Sequence, residues 1–480
     1  MTLDRRGLLR IAGASLVAGG SRPGRAALEI SPVMARLSTY MADAGGRPLP
    51  EAVEEQAKLH VLDTLGAMVS GSGLRPGKLA IAFARAYGGN PVATVVASNV
   101  ACGPIEAALA NAILAHSDET DDSNAPSQSH PGAAVIPAIL ATGERFGIDG
   151  ARLLRAVALG YDVGARVTMT LGITAFEDEG HKSTHAVGGA FAAAAAAGCA
   201  AGLDAQGMRW LLDYTAQQSS GIASWQRDID HIEKAFVFAG MGARNGVTGA
   251  LLVQAGWTGV DDVLSGADNF LDAYSPDADP AGLVDQLGTR FEVARTNIKK
   301  WTVGSPIQAP LDALDLLLRQ HRFRADDVEQ VVVTMATREA GIVNNRTIPD
   351  ICLQYMVAVM LVDGTASFAA AHDPARMTDP EIMRQRAKVL LVPDEELQFR
   401  LPRREATVDV MLRDGSLLSQ HVDAVRGTAE NPMPQEEVVA KARDLMGPVL
   451  GAAGCAGLIE RILALQDVGD VRTLRALLQA

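Results

Sequence analysis

Residues Ala186 to Gly202 constrain this chain more than any other stretch, because they are almost entirely alanine and glycine. A helix with such small side chains has no amphipathic stripe to anchor it and is stable in water only through tertiary packing. It must therefore be buried, with neighbouring backbones close on several sides. A polar run, Gly180-His181-Lys182-Ser183-Thr184-His185, leads into it, and Asp204 is placed to cap a following helix over residues 205–217.

The helical pattern extends from about Ser31 to Ala294. Glu51 to Ser70 carries Val53, Ala57, Leu59, Val61, Leu62 and Leu65 near a 3.6-residue period, with Pro50 just before its start. Ile105 to His116 and Ala151 to Thr168 read as two more helices, the second with Asp149 as a possible N-cap. The character changes near Thr296. Val328 to Met335 and Ala406 to Arg413 read as strands, Asp414-Gly415 as a hairpin turn, and Leu417 to Val422 as the returning strand. Helices are expected at Pro306 to His321 and Ile351 to Val362, and again at Gln435 to Leu445 and Gly457 to Leu465. The predicted fold is mainly α: a large, discontinuous all-helical domain (29–295 rejoined by 426–480) and a smaller α+β domain over 296–425.

With 480 residues and 48 % apolar composition, the chain can bury a substantial core. A net charge of −13 argues against nucleic-acid binding through a basic surface, but not against a small anionic substrate held by a local cluster of cations. The four cysteines form no metal-binding spacing. No uninterrupted apolar run reaches the length expected of a membrane span. Residues 1–28, with Arg5-Arg6 followed by a mild apolar stretch and Ala26-Ala27, resemble a twin-arginine leader. They are set outside the fold. The leader predicts a periplasmic protein, and without export the location would be cytoplasmic.

Nine histidines are few for this length, so their grouping is informative. His116 and His130 bracket the segment HSDETDDSNAPSQSH. If the preceding helix continued, Glu119 and Ser123 would share a face, as would Asp118 and Asp122. The segment reads as a solvated acidic cap, as a divalent-metal loop, or as a site where carboxylates, a hydroxyl and imidazoles converge. Its spacing is not that of an EF-hand loop, and no metal is expected. The polar run at 180–185 precedes a helix whose free N–H groups suit a carboxylate ligand, although Ser183 or Thr184 could simply cap it. Lys234 and Lys299-Lys300 lie among apolar residues, where a lysine ordinarily snorkels to the surface. Tyr355 would ordinarily be a core residue with a satisfied hydroxyl. No dinucleotide fingerprint, phosphate loop, nucleophile elbow or HExxH motif is present, so no cofactor is expected and acid–base chemistry by side chains remains.

Taken together, HVLDTLGAMVSGSG (60–73), NAILAHSDETDDS with HPGAAVIPAIL (111–140), ALGYDVGARV (158–167), STHAVGGAF (183–191), EKAFVFAGMGARNG (233–246), IKKW (298–301), NNRTIPDICLQYMVAVMLVDG (344–364) and NPMPQEEVVAKARDL (431–445) resemble the MmgE/PrpD family over roughly residues 35 to 465. That family includes 2-methylcitrate dehydratases, cis-aconitate decarboxylases and an iminodisuccinate epimerase. The resemblance implies a helical domain made from both chain ends, an α+β lid, a homodimer, no cofactor, and a small carboxylate substrate held between the domains. It places the family's acidic position on Glu119, where many members have Asp, and its hydroxyl on Ser123. His130 matches the first histidine. His181 is the candidate for the second, with Lys182 and His185 as alternatives in register. Lys234 and Lys299 match the two lysines, and Tyr355 the lid aromatic. A lid histidine of decarboxylase-like members is absent, with Gly304 near its place.

The implied chemistry is proton abstraction next to a carboxylate. Lys234, Lys299 and His130 would hold carboxylates and the developing charge. His181 and Glu119 would handle protons, and Tyr355 and Ser123 would orient the substrate. A dehydratase-like lyase ranks first, an isomerase or epimerase second and a decarboxylase third. A non-catalytic carboxylate-binding protein ranks last.

Overall fold

The computed structural model describes residues 30–479, so the leader expected over 1–28 lies outside the described residues. The mainly helical body contains α1 (Glu51–Gly71), α2 (Pro104–Ala115), α3 (Pro131–Phe146), α4 (Gly150–Leu171), α5 (Thr184–Ala201) and α6 (Met241–Gln254). The smaller α+β part contains α7 (Gln308–Gln320), α8 (Leu353–Asp363) and the short α9 (Phe368–Ala371), with four strands: β1 (Val328–Ala336), β2 (Val389–Asp394), β3 (Ala406–Leu412) and β4 (Leu417–Val422). A last run, α10 (Gln435–Leu463), returns to pack on α1 and is broken at Gly451, whose φ is +70°. That break separates the two C-terminal helices the sequence suggests.

The alanine-rich helix is α5, and α3, α4, α6 and the helix Ala205–Gln218 surround it. Ser183 caps it by accepting a bond from the Ala186 N–H, and Gly202 ends it in the left-handed region at φ +70°. Glycines on its neighbours allow the close approach. A Cβ on Gly164 would lie 2.5 Å from Ala192 Cβ, and one on Gly246 would lie 2.4 Å from the Ala194 backbone nitrogen. Overpacking of this kind typically costs about 1–3 kcal/mol.

Among the described residues, two large hydrophobic cores result, with a small third cluster of Ala186, Val237, Phe238 and Met241. One gathers residues from Met34 to Ile298 together with Met433 to Leu478; the other gathers Trp301 to Val425. The second is a four-stranded sheet in the order β2-β1-β3-β4, with β1 parallel to β2 and antiparallel to β3. Ala406, Val408 and Val410 alternate onto its buried face, against which α7 packs. β2 is a strand that the sequence pattern does not disclose, because Pro393 and the charged residues after it interrupt the alternation.

The expectation on apolar length needs correction. Among the described residues, three helical runs, Thr184–Ala201, Ile232–Gln254 and Gln435–Leu463, are long and apolar enough to cross a bilayer. The first two are mainly buried among other helices, and the third opens with Glu436, Glu437, Lys441, Arg443 and Asp444. All four cysteines are free and buried.

Candidate active site

The segment 116–130 is held by helix ends: His116 closes α2, and His130 stands at the N-cap position of α3, before Pro131. The helix stops at Ala115, so the expected shared faces of Glu119 with Ser123 and of Asp118 with Asp122 do not form. The segment is not a solvated loop, because His116 through Asn124 are all buried. Its acids must therefore be compensated by partners within the protein.

Each acid has such partners. Glu119 pairs with Lys234, and Lys299 Nζ lies 3.9 Å from its other carboxylate oxygen while donating to the Glu119 carbonyl at 2.7 Å. Asp121 lies 3.0 Å from His116 Nδ1, 3.2 Å from His130 Nδ1 and 3.8 Å from Lys299 Nζ. Asp118 accepts from the Thr120 N–H and hydroxyl and lies 2.7 Å from His372 Nε2. Asp122 turns away from this group. It accepts from Tyr161 at 2.5 Å and from the Gly132 N–H at 3.0 Å, and lies 2.8 Å from His60 Nδ1. Behind the segment, Lys441 bridges Asp63 at 2.6 Å and the Thr120 carbonyl at 3.0 Å, tying α10 to the site.

Phe238 is the centre of an aromatic stack. His185 lies 3.7 Å from its ring and His116 4.7 Å, both stacked, and Lys234 Nζ sits 5.0 Å from its centroid. His130 lies 5.2 Å from His185, and His231 5.2 Å from His116. Phe238 belongs to a π-helical turn, Phe236–Gly240, and His231 is held at φ +62°. Both are conformations that recur at functional sites, where the surrounding fold offsets their cost.

The electrostatics follow from burial and pairing. Burial opposes the charged form of Glu119, but Lys234 and then Lys299 hold its carboxyl well below the usual range. Asp121 behaves likewise under His116, His130 and Lys299. Burial, with nearby Lys234, pushes His231 down to about 3. Burial also lowers His130, and it lowers His185 further, with His130 and His116 adding to the effect. His372 goes the other way. Burial opposes its charge, yet Asp118 outweighs burial and its pKa rises to about 9. The site thus sets neutral imidazoles beside two lysines and one imidazolium.

The structure brings together Glu119, His130, His185, Lys234 and Lys299. Ser123 lies at their edge, where it pairs with Asn297 in an isolated bridge and lines a cavity of about 140 Å³ together with Lys299. It does not bring in His181, Lys182 or Tyr355. His181 is exposed, with φ +51°. Lys182 donates to the Tyr274 carbonyl at 3.2 Å and lies over the Phe176 and Tyr274 rings. The physical reason is the cap: residues before Ser183 run outside α5, and the first helical turn aims His185 inward. Tyr355 lies inside the second core and donates to the Ala370 carbonyl at 2.7 Å, its hydroxyl pushed up to about 12 by burial.

The sequence pattern does not single out His231, His372, Phe238 or Asp350, which lies 3.9 Å from His372 Nε2. The scarcity of histidine was the available signal, since five of the nine gather here.

Among the described residues, two groups, His116 with Asp121 and His130, and His116 with Glu119 and His231, have donor atoms close enough to hold a metal ion. Lys299 and Lys234 already lie against those same carboxylates, so ammonium groups supply the positive charge that a cation would otherwise bring.

Residues 35–282 match the MmgE/PrpD N-terminal domain and residues 301–465 the MmgE/PrpD C-terminal domain. The chain is similar to a cis-aconitate decarboxylase of Aspergillus terreus (strain NIH 2624 / FGSC A1156), at 25 % identity over 93 % of this chain and 96 % of the relative. It is also similar to a cis-aconitate decarboxylase of Homo sapiens, at 26 % over 90 % and 91 %, and to one of Mus musculus, at 25 % over 90 % and 90 %. With both of its domains matched in order around this buried site, the chain belongs to the MmgE/PrpD family.

Proposed function

We propose that this protein is a lyase that breaks a bond next to a carboxylate in a small di- or tricarboxylate, using its own side chains. The observation that carries this reading is the dry cluster of Lys234 and Lys299 beside neutral His130 and His185. Lysines in such surroundings stabilise charge that builds on a carboxylate as a carbanion forms, because preformed cations act strongly where water is excluded. Neutral imidazoles take or return the proton. Glu119 stays ionised through Lys234, so its part is to hold that lysine, and the proton work falls to His130 and His185.

Within this class, the similarity to cis-aconitate decarboxylases over nearly the whole chain favours decarboxylation of a cis-aconitate-like acid over the dehydration that the sequence ranked first. A carbon–carbon bond to one carboxylate breaks, CO2 leaves, the bonding pair spreads onto the remaining conjugated acid, and carbon takes a proton through a stack histidine that has drawn it from solvent. Dehydration is the second reading, supported by the pairing of neutral imidazoles with the imidazolium of His372, a base and an acid for the two halves of an elimination. An epimerase would use the same base without a leaving group.

Incubation with cis-aconitate, 2-methylcitrate and amino-dicarboxylates in deuterated buffer, followed by NMR, separates these readings. Release of CO2 with deuterium in the product identifies decarboxylation, and loss of hydroxyl identifies dehydration. Absence of both turnover and exchange with every acid would sink the lyase reading in favour of a carboxylate-binding protein. We also propose a homodimer. Leu79, Phe83 and Tyr87 project at four-residue spacing from the helix Arg75–Tyr87 and are about half or more exposed (50, 48 and 71 %). Light scattering on the purified protein reads its mass directly.

A further inference from the structure

His372 stands directly after α9, in the α+β part, and reaches across to Asp118 in the helical body. Its ring is oriented from within its own domain. It stacks on Phe368 with centroids 4.1 Å apart, and Nδ1 lies 2.7 Å from the Phe368 carbonyl. The Tyr355 hydroxyl holds the Ala370 carbonyl of the same short helix. What leaves the domain is Nε2.

The protonation of this ring follows from its partners. A carbonyl only accepts, so Nδ1 carries a hydrogen. Nε2 lies 2.7 Å from Asp118 Oδ2, and Asp118 already accepts from both the N–H and the hydroxyl of Thr120, as an ionised carboxylate does. An unprotonated Nε2 would set a lone pair against that anion. Both nitrogens therefore carry hydrogens, and the ring is a largely buried cation with 11 % of its side chain exposed. The groups facing it are Asp118 from the 116–130 segment, Asp350 at 3.9 Å from the turn Pro349–Ile351, and the Phe368 carbonyl. Asp350 in turn feels Glu119 and Lys234, so this imidazolium borders the lysine cluster. Its contact with Asp118 is close but poorly aligned as a hydrogen bond, so the Nε2–H is not fully used.

We propose that His372 is the carboxylate clamp of the α+β domain: its Nε2–H rests on Asp118 in the substrate-free protein and passes to a carboxylate of the bound acid, so that closure over the site depends on a polycarboxylate. This rests on the carboxylate-lyase reading above and names a positioning residue for it. Asp118 is then a resident competitor of the substrate. A purely structural pair would be weakened alike from either side, whereas a competitor relieved of its charge should leave the clamp freer.

The test uses the full chain and tricarballylate, a saturated tricarboxylate, as the binding probe, alongside kinetics on whichever acid the wild type converts. His372→Gln should raise KM and the tricarballylate Kd by roughly ten- to a hundredfold, the range of a lost charge-assisted hydrogen bond, with a smaller fall in kcat. Asp118→Asn, which keeps an acceptor for Thr120 but removes the anion that helps hold the ring protonated, should leave the Kd unchanged or lower it several-fold when measured below the ordinary histidine pKa of about 6.5, where the ring is charged in both proteins. In the wild type, KM should climb as pH passes about 9, and His372→Gln should lack that limb. Equal loosening by both variants, or no change of Kd and KM in His372→Gln, overturns the clamp while leaving the lyase reading intact. A wild type that neither binds tricarballylate nor turns over any polycarboxylate overturns the lyase reading and the clamp with it.

Discussion

Two polar segments of this chain look alike in sequence and end in opposite surroundings. HSDETDDSNAPSQSH runs between two long helices, and GHKSTH runs into one. Each mixes histidine with hydroxyls and charge, and each precedes an apolar helix. The first is almost wholly interior, with every acid paired. The second stays at the surface until Ser183 caps α5, and contributes only His185 to the site. The difference lies in how the ends are held. The first is pinned at both ends by buried helices, α2 and α3, and its acids are held inside by lysine and histidine partners, while Ala125, Pro126 and Gln128 stay partly exposed. A segment pinned at one end enters the core only where its helix begins.

Substitutions in the two segments can break this contrast. The largest effect is expected from Lys234→Ala, which leaves Glu119 buried without its main partner. Loss of about 3–5 kcal/mol of stability is typical when one member of a buried pair is removed, and turnover should vanish. Urea unfolding together with activity reads both, and Lys234→Ala with Glu119→Gln added should recover much of the stability but not the turnover. Next, His130→Ala and His185→Ala should each cut kcat by roughly 10²–10⁴-fold, the range of a general acid–base group, with the fold intact by circular dichroism. Full activity in the His130 variant would remove this histidine from the mechanism.

The pH dependence of stability sharpens the contrast further. His231 has its pKa depressed in the folded state to about 3, so its contribution is present above the unfolded value near 6.5 and is lost as pH falls from there towards 3. His372 is raised to about 9, so its contribution is complete below about 6.5 and is lost as pH rises through 9. The urea midpoint should fall on both sides of neutrality, and His231→Gln should flatten only the acid side. The smallest effect belongs to the second segment: His181→Ala should change kcat/KM by less than about twofold, as exposed substitutions away from partners usually do. A hundredfold loss there would restore His181 as the second histidine.

Much of the helical body was legible in the sequence, because the 3.6-residue period of Glu51 to Ser70 and the small side chains of Ala186 to Gly202 report burial directly. The hairpin at Asp414-Gly415 was legible for the same kind of reason, since turn chemistry is local. The strand Val389–Asp394 was not, because its pairing with Val328–Ala336 is parallel and its partner lies about sixty residues away. Within the site, Glu119, His130, Lys234 and Lys299 were named from residues in recognisable company. His231 stands two residues before the EKAFVFAGMGARNG stretch and Asp350 lies within NNRTIPDICLQYMVAVMLVDG, but the pattern assigned a role to neither, and His372 has no such company along the chain.

By itself, then, the sequence determined which stretches had to be buried and that a histidine- and lysine-bearing carboxylate chemistry without a nucleotide motif was available. Only the tertiary structure decided which charges meet. Whether Lys234 faces Glu119, whether His185 rather than His181 reaches Phe238, and whether His372 crosses to Asp118 all depend on helix ends and domain contacts separated by tens to hundreds of residues. Burial follows from side-chain composition, which is local. Ion pairing in a dry interior follows from distances of a few ångströms, and these are set only when the whole chain has packed.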